Sequence, residues 1–278
     1  MPKKVMKEIQ RICRNFLWSW SDAESKKASV AWESMCLPKN CGGLNLKDLT
    51  VWNKSAVIKH CWALAMKQDR LWIKWIHVYY VKNKDFWSMD IPEGLTWSLR
   101  KVWASREILT DVGGPDQFVH VGKSSIHKMY KHLRQQGSSV IWKRIICNSK
   151  ASPKATFVAW LALQNRLATK DRLVKWNLQI EKCCYSKAVW NGVLARIGEA
   201  YSGSNWQDVC HWAAKKSRSK RSRAKVCSCA FTETVYAIWL QRNAKIFRNT
   251  LDQSEVVISR MLFHIACRSD DRMKVFIQ

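Results

Sequence analysis

The chain has 278 residues and carries 48 Lys and Arg against 21 Asp and Glu, a net charge of +27. That length supports one or two domains with real cores, and that balance favours a polyanion, nucleic acid above all, over an anionic membrane surface, because the excess is spread along the chain rather than set on one amphipathic helix, and over a merely solvated basic surface. Charges interrupt every apolar run, which excludes a membrane-spanning helix and a signal peptide and leaves a nuclear or cytoplasmic protein as the expectation.

The eleven cysteines are odd in number and irregularly spaced, as reduced thiols would be. The seventeen tryptophans run from Trp18 to Trp239. Most are expected in the core, since few sites could use so many stacking faces.

Residues 3–18 read as an amphipathic helix. Val5, Ile9, Ile12, Cys13 and Phe16 share one face, while Lys3, Lys4, Lys7, Arg11 and Arg14 lie largely opposite and are candidates for phosphate contact. Residues 21–29 are polar and loop-like. Pro38 and Gly42-Gly43 bracket a turn that needs a positive φ or a close backbone approach. Residues 54–82 read as helical, with Trp72, Trp75, Ile76 and Tyr79 in one phase. His60 and His77 have no partners at metal-ligand spacing and read as ordinary histidines. Residues 97–109 form a short helix. Residues 111–122, with Gly113-Gly114-Pro115, are the best domain boundary, and 124–134 resume a basic helix.

Residues 142–176 carry two Trp-anchored apolar segments. Pro153 sits where it can open a helix, because its missing N–H costs nothing there. Phe157, Trp160, Leu161 and Leu163 follow on one face. Thr169 has N-cap chemistry for a second, shorter helix with Leu173 and Trp176. Residues 215–225, KKSRSKRSRAK, hold seven basic residues and no apolar face, so a disordered basic linker is expected. Its Lys215, Lys216, Arg218, Lys220, Arg221, Arg223 and Lys225 are the strongest phosphate-binding candidates. Residues 232–248 form a helix with Val235, Ile238, Trp239, Arg242 and Ile246 near one stripe. A last helix lies around 256–267.

The run from Pro153-Lys154 through Phe157, Trp160-Leu161-Ala162 and Asn165-Arg166-Leu167-Ala168-Thr169 to Asp171-Arg172-Leu173 resembles the zinc-binding domain that follows the reverse transcriptase in plant LINE-type non-LTR retrotransposons. Trp32, Cys36-Leu37-Pro38-Lys39, Gly42-Gly43-Leu44, Asp48-Leu49 and Asn53-Lys54 resemble the segment just after the polymerase core in the same proteins. Ile238-Trp239, Arg242-Asn243 and Ile246-Phe247 are similar to the helix that follows the finger. The resemblance implies a C-terminal portion of an RNA-directed DNA polymerase, in contact with nucleic acid. It also implies a zinc finger, and here the sequence departs from the family. Cys184, before Tyr185-Ser186, matches the last ligand, but the earlier Cys-x-x-Cys and His have no counterpart. One cysteine does not make a four-ligand zinc site, and Cys183, Cys210-His211 and Cys227-x-Cys229 are poorly spaced to replace the rest. The expectation is that no cofactor is bound.

Catalytic motifs are also missing. A polymerase needs paired aspartates for two metals. Asp270-Asp271 is the only Asp pair, and its context is wrong. No acidic constellation for ribonuclease H or endonuclease chemistry stands out.

The sequence therefore predicts a mostly α protein of Trp-rich helical units with a degenerate zinc-finger-like hairpin. The expected segments are 1–110 (thumb-like), 111–137 (linker and basic helix), 138–212 (zinc-binding-like), 213–230 (basic linker) and 231–278 (C-terminal helices). The expected function is noncatalytic binding of RNA or DNA, with a retrotransposon remnant without selected activity or a protein-interaction scaffold as alternatives.

Overall fold

The computed structural model describes residues 1–19, 29–111, 119–120, 123–148, 150–167, 184–203 and 205–277. The fold is mostly α. The sole sheet among these residues is a two-residue antiparallel ladder, β1 (Val119–His120) with β2 (Lys123–Ser124), in which Val119 faces Ser124. Two compact units form. One comprises Met1–Cys36 and Leu46–Gln136, the other Leu37–Asn45 and Gly137–Gln278. The short segment Leu37–Asn45 thus packs with the second unit although its flanks belong to the first.

In the first unit, α1 spans Lys3–Ser19, α2 Trp32–Cys36, α3 Leu49–Ala65, α4 Leu71–Ile76, α5 Trp97–Ala104, α6 Arg106–Asp111 and α7 Ile126–Leu133. Helix α3 starts where it does because Asp48 accepts hydrogen bonds from the Thr50 and Val51 amides, at 2.8 and 3.3 Å. The Asp48 amide itself donates to the Tyr130 hydroxyl of α7 at 3.0 Å. The predicted helix over 54–82 is two pieces, broken at residues 66–70 and ending in a π-helical turn, His77–Val81. The core gathers Ile58, Trp62, Ile73, Ile76, Trp103 and Leu109. Arg106 closes it from outside. Its guanidinium lies 5.4 Å from the Phe86 ring centre and donates to the carbonyls of Phe86 and Met89. His77 is satisfied, with Nε2 2.9 Å from the Leu64 carbonyl. His60 packs edge-on against Trp72, and burial lowers its pKa.

Helix α1 forms as predicted but does not bury the predicted face. Met6 and Asn15 point inward, while Val5, Ile9, Ile12, Cys13 and Phe16 are exposed. Hydrophobic periodicity shows which residues share a side, not which side finds a neighbour.

In the second unit, α8 spans Lys143–Asn148, α9 Pro153–Leu163, α10 Cys184–Arg196, α11 Trp206–Lys216, α12 Ser222–Arg248, α13 Ser254–Arg268 and α14 Asp271–Lys274. Pro153 opens α9 as predicted, and Ser152 caps it by accepting from the Ala155 amide at 3.2 Å. The Ser152 amide donates to the buried Glu233 of α12 at 2.7 Å, so the reciprocal half of this cap comes from another helix. Helix α9 is buried more completely than one face would require. Ala155, Val158, Ala159, Trp160, Leu161 and Ala162 are all inside, while Phe157 and Leu163 are half-buried. The proposed second helix at Thr169, with Leu173 and Trp176, and the loop expected before residue 29 lie outside the described residues.

The segment Leu37–Asn45 explains the Gly-Gly pair. A 3₁₀ turn, Lys39–Cys41, ends at Gly42 with φ +88°, a left-handed conformation that disfavours any Cβ. A Cβ on Gly43 would overlap the Leu37 carbonyl. The Gly42 carbonyl accepts from the Trp160 indole N–H at 2.7 Å and from the Gln164 side-chain Nε2 at 2.8 Å. Two blocks far apart in sequence meet on one oxygen.

The tryptophans are less uniformly core than expected. Trp32, Trp62, Trp103, Trp160 and Trp190 are buried, but Trp52, Trp75, Trp87, Trp97 and Trp206 are exposed.

Candidate nucleic-acid interface

The basic stretch at residues 215–225 is ordered, contrary to the disordered linker expected from its composition. Lys215 and Lys216 end α11, Arg218 to Arg221 form a turn, and Arg223 and Lys225 begin α12. Small residues make this packing possible. Ala213, Ala214, Ser217 and Ala224 are buried, and Ser217 and Ser228 join the helices through a hydroxyl–hydroxyl bond of 2.8 Å. The Ser217 hydroxyl donates to the Ala213 carbonyl, so its oxygen accepts from Ser228, whose single hydrogen is shared between Ser217 and the Ala224 carbonyl. An edge-on cluster sets α11 against its neighbours, with the Trp190 ring 5.4 Å from Trp212 and 6.1 Å from Phe231.

Glu199 locks the joint. Its side chain is 4% exposed and accepts from Lys216 Nζ at 2.5 Å and Arg223 Nε at 2.7 Å. Arg223 also donates to the Gly198 carbonyl at 2.8 Å. Burial alone would raise the Glu199 pKa. The two cations and their hydrogen bonds outweigh it, so the net shift is downward. A lowered folded-state pKa means stabilisation present above the unfolded carboxylate's pKa and lost as pH falls through the folded one. Glu199→Gln is expected to cost about 2 kcal/mol at neutral pH, the value of hydrogen bonds to a charged group. Thermal melts of both proteins from neutral pH down into the carboxylate range check this, because the difference should shrink on acidification.

The seven predicted cations therefore have different roles. Lys216 and Arg223 are held by Glu199. Lys225 is half-buried and, after the hydrogen bond from Lys150, helps to hold the Asp270 pKa down. Lys215, Arg218, Lys220 and Arg221 are exposed and make no ion pair among the described residues. A hollow of about 200 Å³ beside Lys215 and Arg218 is lined by Ile141, His211, Trp212 and Ala214. The Lys216 ammonium stands 5.9 Å above the Trp212 ring. On α1, Lys3, Lys4, Lys7 and Arg14 are exposed, and Arg11 pairs with Glu8 at 2.7 Å. Sequence reasoning missed Glu199 and Glu233, since a lone acid in a basic chain carries no local pattern.

The described residues do not fit a zinc site. No group of three or more His, Cys, Asp or Glu side chains converges among them. Burial pushes the Cys210 and Cys229 thiols up to about 12 and that of Cys227 to about 11, as for thiols packed in a core. Cys184 begins α10, and Cys183 lies outside the described residues. Asp270 and Asp271 have local tasks. Asp270 caps α14 through the Met273 amide at 3.1 Å and pairs with Lys150 at 3.3 Å, while Asp271 pairs with Lys274 at 3.0 Å.

Residues 125–190 match the family described as zinc-binding in reverse transcriptase. This stretch of the chain is similar to reverse-transcriptase zinc-binding domains. The matched span runs from the start of α7 through α9 into α10, and it contains Trp160, whose indole bonds to Gly42. An Arabidopsis thaliana protein named as a putative ribonuclease H protein, At1g65750, is 29% identical over 117 residues, which is 40% of this chain and 18% of that protein. The chain thus spans under a fifth of that relative's length. No solved structure matches. Among the described residues, no helix is long and apolar enough to cross a membrane.

Proposed function

We propose that this chain is a noncatalytic module that binds the phosphate backbone of RNA or DNA. The observation that carries the reading is the ordered α11–α12 joint. It presents Lys215, Arg218, Lys220 and Arg221 to solvent while Glu199 fixes the cations beside them. Exposed cations carried on an ordered backbone lose less freedom on meeting phosphate than a disordered tail would, and each phosphate neutralised releases counterions. The exposed lysines of α1 add a weaker positive surface. The local roles of Asp270 and Asp271 support a module without a polymerase step. The likeness to reverse-transcriptase zinc-binding domains supports a nucleic-acid partner over a membrane or a small molecule, and a nuclear or cytoplasmic setting.

The test is binding of a fluorescent RNA and a DNA duplex across a salt series, on protein first shown to melt cooperatively. Log affinity should fall against log salt with a slope of about −0.9 per contacted phosphate for the duplex, with several contacts. Absence of binding at low salt overturns the reading and favours a remnant. A partner retained at high salt would instead indicate a protein-interaction scaffold.

A further inference from the structure

The first unit carries an aromatic surface that its core does not use. The predicted stripe Trp72, Trp75, Ile76 and Tyr79 divides. Ile76 is buried and Trp72 half-buried, whereas Trp75 is 46% and Tyr79 62% exposed. Leu71 and Val78, also exposed, complete the outer face at spacings of three and four residues. The π-helical turn accounts for the grouping. The Lys82 amide donates to the His77 carbonyl at 2.7 Å, five residues back, and this wider turn sets two tyrosines beside one tryptophan. The Trp75 ring centre lies 5.3 Å from Tyr79 and 5.4 Å from Tyr80. Tyr80 is half-buried and holds the indole edge-on, while Tyr79 extends the surface outward. His77, bonded to the last turn of α3, anchors the segment from below.

The surroundings are basic. Lys67, Arg70, Lys74, Lys82 and Lys84 are exposed and neighbour the rings in sequence, and Asp69 is the one acid from residue 67 to residue 84. Asp69 is occupied by Lys74 at 2.5 Å. Asp85 follows, with its carboxylate accepting from the Ser88 amide at 3.0 Å. Exposed rings inside a cationic rim match the chemistry of a strand whose bases are free to stack and whose phosphates need neutralising. A duplex hides its base faces and can use the rim alone.

We infer that Trp75 and Tyr79 form a stacking platform for single-stranded nucleic acid, with the surrounding lysines contacting its phosphates. The site lies on the first unit and rests on the nucleic-acid reading of the α11–α12 joint, which it extends. The experiment compares oligothymidine with a DNA duplex of equal length, using wild type, Trp75→Ala/Tyr79→Ala, Trp75→Phe, and Lys215→Glu/Arg218→Glu. The double alanine variant should bind oligothymidine about ten-fold more weakly or worse, with an unchanged salt slope and little effect on the duplex. Trp75→Phe should keep most of the affinity. The joint variant should bind the duplex more weakly yet leave the ring-dependent part of oligothymidine binding, so failure of one site is distinct from failure of the other. Ultraviolet crosslinking of oligothymidine to wild type, mapped by mass spectrometry, needs no substitution and should mark Trp75 or Tyr79. Unchanged oligothymidine affinity, equal loss on the duplex, or crosslinks confined to other segments overturns the proposal.

Discussion

Gly43→Ala is expected to destabilise the second unit by about 3 kcal/mol or more, the upper end for a side chain forced where none fits. The added Cβ would meet the Leu37 carbonyl, which is backbone and already accepts from the Asn45 amide at 3.0 Å. No rotamer change relieves such a clash, so the chain at Gly42-Gly43 must move. Its movement displaces the Gly42 carbonyl from the Trp160 indole and the Gln164 side-chain Nε2, leaving these donors without their acceptor. For a unit of this size the loss corresponds to a fall in melting temperature on the order of 10 °C. A thermal melt read by Trp fluorescence checks it, and a shift below about 1 °C would mean that the turn relaxes freely.

Reversing the four exposed joint cations, as Lys215→Glu/Arg218→Glu/Lys220→Glu/Arg221→Glu, should lower duplex affinity at least about a hundred-fold near 0.1 M salt. The salt slope should become shallower by about 0.9 for every phosphate that the variant no longer neutralises. Stability should change little, because these side chains make no ion pair among the described residues. Reversing Lys216 and Arg223 should do the opposite. It removes both cationic partners of Glu199 and lowers the melting temperature whether or not nucleic acid is present. The two variants together separate a binding surface from the structure that supports it. Equal affinity of the four-site variant and wild type would remove the joint as a site.

Local signals were legible in the sequence wherever one residue type decides the backbone. Pro153 and Ser152 mark the start of α9, and Gly42-Gly43 mark a turn that needs both a left-handed residue and a close approach. Signals that depend on a distant partner were not legible. The cap of α9 is completed by Glu233 from α12, and Glu199 is buried because Lys216 and Arg223 come to it. Composition misled at residues 215–225, where the packing is done by Ala and Ser, residues that look the same in a linker as in a tight helix contact. Periodicity misled twice. The apolar side of α1 and the outer side of Trp75 and Tyr79 have helical spacing without burial. The basic cluster at 215–225 was visible as a group from its composition. The division of its cations into fixed and exposed members depends on Glu199, which approaches from outside the cluster.

The placement of Leu37–Asn45 bears on how the chain folds. The Gly42–Trp160 bond joins residues 118 apart, and the Val140 amide bonds to the Asn40 carbonyl across a similar span. Closing such a loop costs chain entropy before any contact in the second unit rewards it, and long-range closure of this kind slows folding. On a ribosome the turn emerges early and waits for α9 to be synthesised. A fragment starting at residue 137 would never contain it, and expression of residues 137–278 alone should yield a unit with Trp160 lacking its acceptor. Each unit is compact in space without being continuous in sequence. The second is therefore inherited, truncated or transplanted intact only together with a short segment, Leu37–Asn45, from the early part of the chain.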